Sequence, residues 1–144
     1  MGRMMAEAAN RLNIQLNVLD ADNAPAKQVT AHDDHVTGHF NDKDAVLKLA
    51  EVSDVLTAEI EHVNTEALEE VASRVRVEPS WEAIRIIQNK FEQKKHLAKH
   101  GIPMAEYQEL TQNTPEELAK IVDELGLPLM LKSKTLAYDG RGTR

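Results

Sequence analysis

Short segments in which apolar and polar residues alternate lie along the first half of the chain and predict β-strands. The clearest are residues 14–20 and residues 54–61, the second of which also carries β-branched side chains. Residues 35–40 and 75–77 predict shorter strands. Residues 22–34 combine Pro, Asn, Asp and small residues, which is typical of a loop or a short helical turn. The pattern therefore predicts up to four strands.

Helical periodicity alternates with these strands. Residues 1–10 have apolar side chains four positions apart and predict a first helix. Further helices are predicted to begin after Asn41 and Asn64, which can act as N-caps. Because strands and helices alternate, we predict an α/β fold with parallel strands and right-handed crossovers. The apolar faces of the two capped helices consist of Val46, Leu49 and Ala50 and of Leu68, Val71, Ala72 and Val75.

The second half of the chain is predicted to be mainly helical. Residues 81–100 form a helical stretch whose apolar stripe slips after Phe91, so that two helices are an alternative to one. Thr114 is followed by Pro and then Glu residues, which indicates a helix start, and Gly126 ends that helix. Residues 129–132 predict a buried strand.

Composition and charge narrow the classes of function. Of the 144 residues, 42% are hydrophobic and 28% charged, which is typical of a soluble globular protein, while the 3% aromatic content predicts an aliphatic core. The net charge of −7 argues against a nucleic-acid partner, because such binding needs clustered Lys and Arg. The net charge does not exclude a small anionic ligand, since a few local cations or a helix N-terminus can hold a phosphate. The absence of cysteine excludes disulfides and thiolate chemistry and fits a cytoplasmic location.

The ends of the sequence suggest a fragment. No apolar run reaches the roughly 18 residues of a membrane span, and no export signal is visible, so no membrane partner is predicted. Residues 1–10 are helical from the start, and the sequence stops in the glycine-containing loop at 139–142. Both ends are therefore expected to be cut.

The sequence around Lys132 is the best candidate for nucleotide chemistry. The predicted strand places Lys132 at its end, and Gly140 and Gly142 in the next loop allow backbone amides to approach phosphate oxygens. The Gly-Lys-Ser/Thr order of a Walker loop is absent. An ordinary turn with a solvated lysine is an equally good interpretation of these residues alone.

A second cluster could be interpreted as a metal site. Histidine and carboxylate side chains suit zinc and similar ions. The segment is predicted to be a loop without defined supporting contacts, which disfavours a metal there. The residues concerned are His32, Asp33, Asp34, His35 and His39.

Five motifs together resemble one enzyme family over essentially all 144 residues. They are TLAYDGRG at 135–142, AEIEHV at 58–63, IIQNKFEQK at 86–94, NRLN at 10–13 and LDAD at 19–22. The chain is similar to the 5-(carboxyamino)imidazole ribonucleotide synthase module, an ATP-grasp ligase of purine (IMP) biosynthesis. In fungi this module is fused ahead of a mutase domain, and the whole enzyme, a carboxylase, is classed as a lyase or decarboxylase.

The resemblance implies a fold and a division into domains. It implies an incomplete Rossmann-like pre-ATP-grasp domain over residues 1–90, without its first strand, and the beginning of a truncated ATP-grasp domain over residues 91–144. It also implies ATP-dependent carboxylation of aminoimidazole ribonucleotide, with ATP, bicarbonate and the ribonucleotide as small-molecule substrates. Mg²⁺ is an expected cofactor whose ligands lie outside this sequence, so the fragment is expected to be inactive alone. The resemblance leaves open whether the intact enzyme is a homo-oligomer.

The resemblance also assigns roles to residues. Glu59, Tyr138, Asp139 and Arg141 are implied to face the ribonucleotide, and Asp139 and Arg141 are the catalytic candidates. A carboxylate beside the attacking amine can take its proton, which is the role we expect for Asp139. Without the resemblance, Glu59 at a strand end is more often simply solvated. The residues implied to bind ATP are Lys90, Lys132, Ala137, Tyr138, Asp139, Gly140, Arg141, Gly142 and Thr143.

Two other functions are compatible with parts of this pattern. Another ATP-grasp ligase, of the formyltransferase or biotin carboxylase type, would share the architecture, but the motifs at 59–63 and 138–142 disfavour it. A truncated, non-catalytic product that binds at most a partner is the alternative from a different class.

Overall fold

The structure, a computed structural model, describes residues 1–136. The chain divides into two compact units, Met1–Arg85 and Ile86–Arg144. The predicted site residues 137–143 lie outside the described part. Within residues 1–136, no helix is long and apolar enough to cross a membrane.

The first unit alternates helices with very short strands. The 3₁₀ turn at Lys27–Val29 lies inside the predicted loop, and α4 continues into the second unit. The elements are α1 Gly2–Arg11, β1 Leu19–Asp20, β2 Val36–Thr37, α2 Lys43–Glu51, β3 Val55–Leu56, α3 Thr65–Val71, β4 Arg76–Val77 and α4 Trp81–Gln88.

The strands form two parallel pairs, β1 with β2 and β3 with β4. Leu19 lies opposite Val36, and Val55 lies opposite Arg76. The predicted α/β class and parallel pairing are confirmed, but the predicted strands at 14–20, 35–40 and 54–61 are too long. Among the described residues, each strand pairs with one other strand, and the regular parallel ladder of each pair covers only two residues per strand.

The core of the first unit is aliphatic, as the composition predicts. Small and branched side chains of α2, α3 and β3 pack together, and Leu19, Leu49 and Trp81 pack against them with partial exposure. The helix predicted after Asn64 ends at Val71, so Ala72 and Val75 follow it rather than extend its face. The buried cluster consists of Val46, Ala50, Leu56, Ala67, Leu68, Val71, Val75 and Ile84.

The N-cap of α2 is Asp42, and the prediction of Asn41 is wrong by one residue. The Asp42 carboxylate accepts hydrogen bonds from the amides of Asp44 at 2.9 Å and Ala45 at 3.4 Å. The carbonyl oxygen of Asn41 instead accepts a hydrogen bond from the side-chain amide of Asn64 at 3.2 Å. Asn64 is itself the N-cap of α3, as predicted.

The second unit continues with α5 Lys90–Lys99 and α6 Pro115–Leu125. The two-helix alternative for residues 81–100 is confirmed, with the break at Asn89 rather than after Phe91. The Thr114 hydroxyl accepts the hydrogen bond that caps α6, and Gly126 ends the helix with a φ of 77°, as predicted.

The buried strand predicted at residues 129–132 is wrong. Only Lys132 makes an isolated bridge, and Met130 and Leu131 are 64% and 50% exposed. An apolar segment forms a buried strand only where it has a neighbouring strand to hydrogen-bond with and other elements that cover its faces. Residues 1–136 supply neither at this position.

Candidate functional site

Lys90 is the first residue of α5, at a helix start whose amides are already bonded. The Asn89 side chain accepts from the amides of Phe91 at 3.0 Å and Glu92 at 3.2 Å. The Lys90 amide donates to the carbonyl oxygen of Lys134 at 2.7 Å. Helix N-termini bind phosphate through unsatisfied amides. The first amides of α5 are therefore already occupied and are not available to bind a phosphate.

The same hydrogen bond brings the segment around Lys132 to the start of α5. Lys132 lies two residues before Lys134, is exposed, and makes no ion pair with any residue of the described part. The structure thus brings together the stretches that carry Lys90 and Lys132, two residues that the sequence analysis assigned to ATP.

Lys134 and Glu109 are residues that the sequence analysis missed. The Lys134 ammonium lies 2.7 Å from the Glu109 carboxylate, with the two side chains 50% and 33% exposed. The residues are 25 positions apart, and Glu109 lies in an irregular segment without a motif. The proximity of Lys134 to Lys132 was the one signal that could have drawn attention to it.

Glu59 lies in a bend three residues after β3, close to the predicted strand end. Its side chain is 38% exposed, and its carboxylate lies 3.7 Å from the amino group of Met1. Ligands of open α/β sheets bind beyond the carboxyl ends of the strands. The position of Glu59 in the first unit is compatible with ligand contact at that edge.

The loop residues considered for a metal site make other contacts. Among residues 1–136, no group of three or more His, Asp or Glu side chains is arranged to hold a metal ion. His35 accepts the amide of Val18 at its Nδ1 atom, 3.2 Å away, and its Nε2 atom lies 2.7 Å from the Thr30 hydroxyl. The Nδ1 atom of His39 accepts the amide of Asn41 at 3.1 Å.

A shallow depression in the second unit lies apart from the predicted residues. It has a volume of about 470 Å³ and neither Lys90 nor Lys132 lines it. It is wide open to solvent, which is unlike the enclosed shape of a specific ligand site. Its lining consists of Met104, Ala105, Glu106, Tyr107, Glu124 and Leu125.

Comparison with known families divides the sequence in two. Residues 1–88 match the ribonucleotide synthetase preATP-grasp domain, and residues 95–144 match the ATP-grasp domain. Phosphoribosylaminoimidazole carboxylase of Candida albicans is 51% identical over 145 residues, which cover 99% of this chain and 26% of the relative. The chain therefore spans about a quarter of the length of the curated fungal relatives it matches.

Solved structures give the same result. Carboxyaminoimidazole ribonucleotide synthase of Aspergillus clavatus, complexed with ATP, is 70% identical with a TM-score of 0.95. The N5-carboxyaminoimidazole synthase of the same organism, with ADP and 5-aminoimidazole ribonucleotide, is 67% identical with a TM-score of 0.93. Each match covers 99% of this chain and 37% of the solved chain.

A parallel α/β unit followed by a unit that carries Lys90 and Lys132 defines a pre-ATP-grasp domain that leads into an ATP-grasp domain. The chain belongs to the ribonucleotide synthetase preATP-grasp family. Its resemblance to the synthase module of fungal phosphoribosylaminoimidazole carboxylases is confirmed.

Proposed function

We propose that this sequence is part of an enzyme that carboxylates 5-aminoimidazole ribonucleotide at the expense of ATP in purine biosynthesis. The whole enzyme here means a protein in which this sequence continues to the length of its relatives. The observation that carries the proposal is the 67% identity, over 99% of this chain, to a synthase solved with ADP and 5-aminoimidazole ribonucleotide. In fungi we expect the synthase to be fused to a mutase domain, so that the whole enzyme has the carboxylase (lyase) activity.

The proposed reaction has two chemical steps. Bicarbonate attacks the terminal phosphorus of ATP, which gives carboxyphosphate and ADP. The exocyclic amine of the ribonucleotide then attacks the carboxyl carbon, phosphate leaves, and the amine loses its proton. Asp139 is the proposed acceptor of that proton, because a positioned carboxylate can act as a general base.

The remaining roles are assigned by residue. Lys90, Lys132 and the loop at 137–143 are proposed to bind the ATP phosphates, since cationic side chains and loop amides suit a triphosphate. Glu59 is proposed to contact the ribonucleotide together with Tyr138 and Arg141, and Arg141 is also a catalytic candidate. The proposed domains are residues 1–90 and 91–144.

Mg²⁺ is included in the proposal only as the usual companion of ATP. The described residues offer no carboxylate cluster that fits the ion, so no ligand is assigned within residues 1–136. We further propose a cytoplasmic enzyme with small-molecule substrates, and a homo-oligomer as its assembly.

The proposal is tested by measuring ADP formation by the whole enzyme with each substrate omitted in turn. We expect ADP release to require both bicarbonate and 5-aminoimidazole ribonucleotide. ADP release that requires a different acceptor, such as glycinamide ribonucleotide with formate or biotin with bicarbonate, would instead identify a formyltransferase or a biotin carboxylase. A whole enzyme without nucleotide turnover would support the non-catalytic alternative.

A further inference from the structure

Lys134 is the residue at which two distant segments of the second unit meet. Its carbonyl oxygen accepts the amide hydrogen of Lys90 at 2.7 Å, so its backbone is fixed to the start of α5. Its ammonium group lies 2.7 Å from the Glu109 carboxylate, and the two residues are separated by 25 positions. Lys134 therefore joins α5 to the segment that precedes α6.

The helix α5 also contacts that segment directly. The Lys94 ammonium donates to the carbonyl oxygen of Ala105 at 3.3 Å and lies 4.9 Å from the centroid of the Tyr107 ring. Phe91 packs edge-to-face on Tyr107 with a centroid distance of 5.8 Å. The segment from Ala105 to Glu109 is thus held by α5 at one end and by Lys134 at the other, which closes a ring of contacts.

We propose that Lys134 is a positioning residue for the nucleotide, and that its pair with Glu109 fixes Lys132 relative to Lys90. The proposal deepens the proposed function and rests on it, because it assumes that these two lysines bind ATP phosphates. Lysine side chains are flexible, so their value for phosphate binding depends on how rigidly their backbone is held. The ring of contacts supplies that rigidity immediately before residues 137–143.

The pair with Glu109 also separates Lys134 from the phosphate-binding role of its neighbours. An ammonium group 2.7 Å from a carboxylate is already neutralised, and it would have to break that contact to bind a phosphate. Two interpretations therefore make opposite predictions for Glu109→Gln. If Lys134 acts by positioning, loss of the pair weakens ATP binding. If Lys134 acts directly as a cation, removal of the competing carboxylate strengthens it.

The experiment uses steady-state kinetics of the whole enzyme with Lys134→Met, Glu109→Gln and the reversed pair Lys134→Glu/Glu109→Lys. We expect each single variant to raise KM for ATP about two- to five-fold, the range typical of a partly exposed pair. The KM for the ribonucleotide and the value of kcat should change little. The reversed pair should restore much of the ATP affinity, because it restores an ion pair between positions 109 and 134 and, like the single variants, keeps the backbone hydrogen bond to Lys90.

The pair between Lys43 and Glu70 provides a matched control. It has the same N–O distance of 2.7 Å, and its side chains are 51% and 50% exposed. It joins α2 to α3 in the first unit and contains no residue of the ring of contacts. Lys43→Met and Glu70→Gln should therefore leave KM for ATP unchanged, whereas a similar rise in these variants would overturn a specific role for Lys134.

Folding and function are separated by two further measurements. The thermal midpoint of each variant shows whether it is folded. If Lys134→Met is not folded, the test rests on Glu109→Gln and the reversed pair. A wild-type enzyme without ATP-dependent carboxylation would contradict the proposed function itself. An active wild type whose Glu109→Gln variant has an unchanged or lower KM for ATP would overturn the positioning role alone.

Discussion

The Nδ1 atom of His35 accepts the amide hydrogen of Val18 at 3.2 Å, which joins the residue before β2 to the residue before β1. An Nδ1 atom that accepts must be unprotonated, so the Nε2 atom carries the proton and faces the Thr30 hydroxyl at 2.7 Å. The neutral ring therefore connects three segments of the first unit.

The environment of His35 favours this neutral form. Burial and then the charge of Lys27 lower the pKa of the His35 ring below its ordinary value of 6.5, and His32 acts in the same direction. Asp33 and Asp34 raise that pKa but do not outweigh the three causes that lower it. The unfolded chain consequently binds more protons than the folded one between the two pKa values.

The first prediction concerns pH and stability. The contribution of neutral His35 should be fully present above the unfolded pKa of 6.5 and should be lost as the pH falls through the lower folded pKa. Denaturant unfolding between about pH 5 and pH 7.5 measures it. His35→Gln should flatten the dependence, and His96→Gln in the second unit should retain it. A His35→Gln variant with the wild-type slope would contradict the prediction.

The second prediction tests the capping residue of α2. Asp42→Ala removes the acceptor of two helix amides and should lower the free energy of unfolding by about 0.5–2 kcal/mol. Asn41→Ala is the matched control, because the hydrogen bonds of Asn41 with His39 and Asn64 involve its backbone atoms, and it should change that free energy little. Equal losses in the two variants would show that the cap is not the cause.

A third prediction concerns ATP. In the whole enzyme, Lys132→Ala should raise KM for ATP about tenfold or more, since a hydrogen bond to a charged group is worth about 1.5–3 kcal/mol. The KM for the ribonucleotide serves as the internal control and should change little. Unchanged ATP kinetics would show that the exposed Lys132 side chain is only solvated.

The fourth prediction tests the proposed contact of Glu59 with the ribonucleotide. Glu59→Gln preserves the shape of the side chain but removes its charge, and it should raise KM for the ribonucleotide severalfold with little change in KM for ATP. The two constants are measured by varying each substrate with the other saturating. A variant with the wild-type KM for the ribonucleotide would show that Glu59 does not contact this substrate.

Asp139 should respond differently from Glu59. Asp139→Asn cannot accept the amine proton, so we expect kcat to fall about 10²- to 10⁴-fold while KM for the ribonucleotide changes much less. Glu59→Gln, measured under the same conditions, is the comparison that separates binding from proton transfer. Full turnover by Asp139→Asn would contradict the proposed proton transfer by Asp139, while the proposed contacts of residues 137–143 with ATP would still stand.

The sequence predicted those elements whose signals are local. The helix from Pro115 to Leu125 follows from the Thr114 cap and the Gly126 end, which act within a few residues of the backbone they bond. The Asn64 cap was predictable for the same reason. The Asp42 cap was missed because Asn41 and Asp42 have equally good capping side chains, and only the backbone of the folded chain selects between them.

The elements that depend on distant residues were predicted poorly. Residues 129–132 are apolar enough for a strand, but strand formation depends on a partner that residues 1–136 do not supply. The contact of Lys134 with Glu109 spans 25 positions, and no periodicity connects the two. The proposed roles of Lys90 and Glu59 rest on the family resemblance, because a charged side chain at a helix start or strand end has no distinctive pattern.

Trp81 gives this chain an intrinsic fluorescent probe of its first unit. It is the single tryptophan in the sequence, it packs against the aliphatic core of the first unit, and the guanidinium of Arg85 lies 4.4 Å from its ring centroid. Tryptophan emission should therefore report the loosening of the first unit, whereas far-ultraviolet circular dichroism follows the helices of both. If the tryptophan emission and the circular dichroism change at different denaturant concentrations, the two units unfold in separate cooperative transitions. The free energy of unfolding of each unit can then be obtained from one titration.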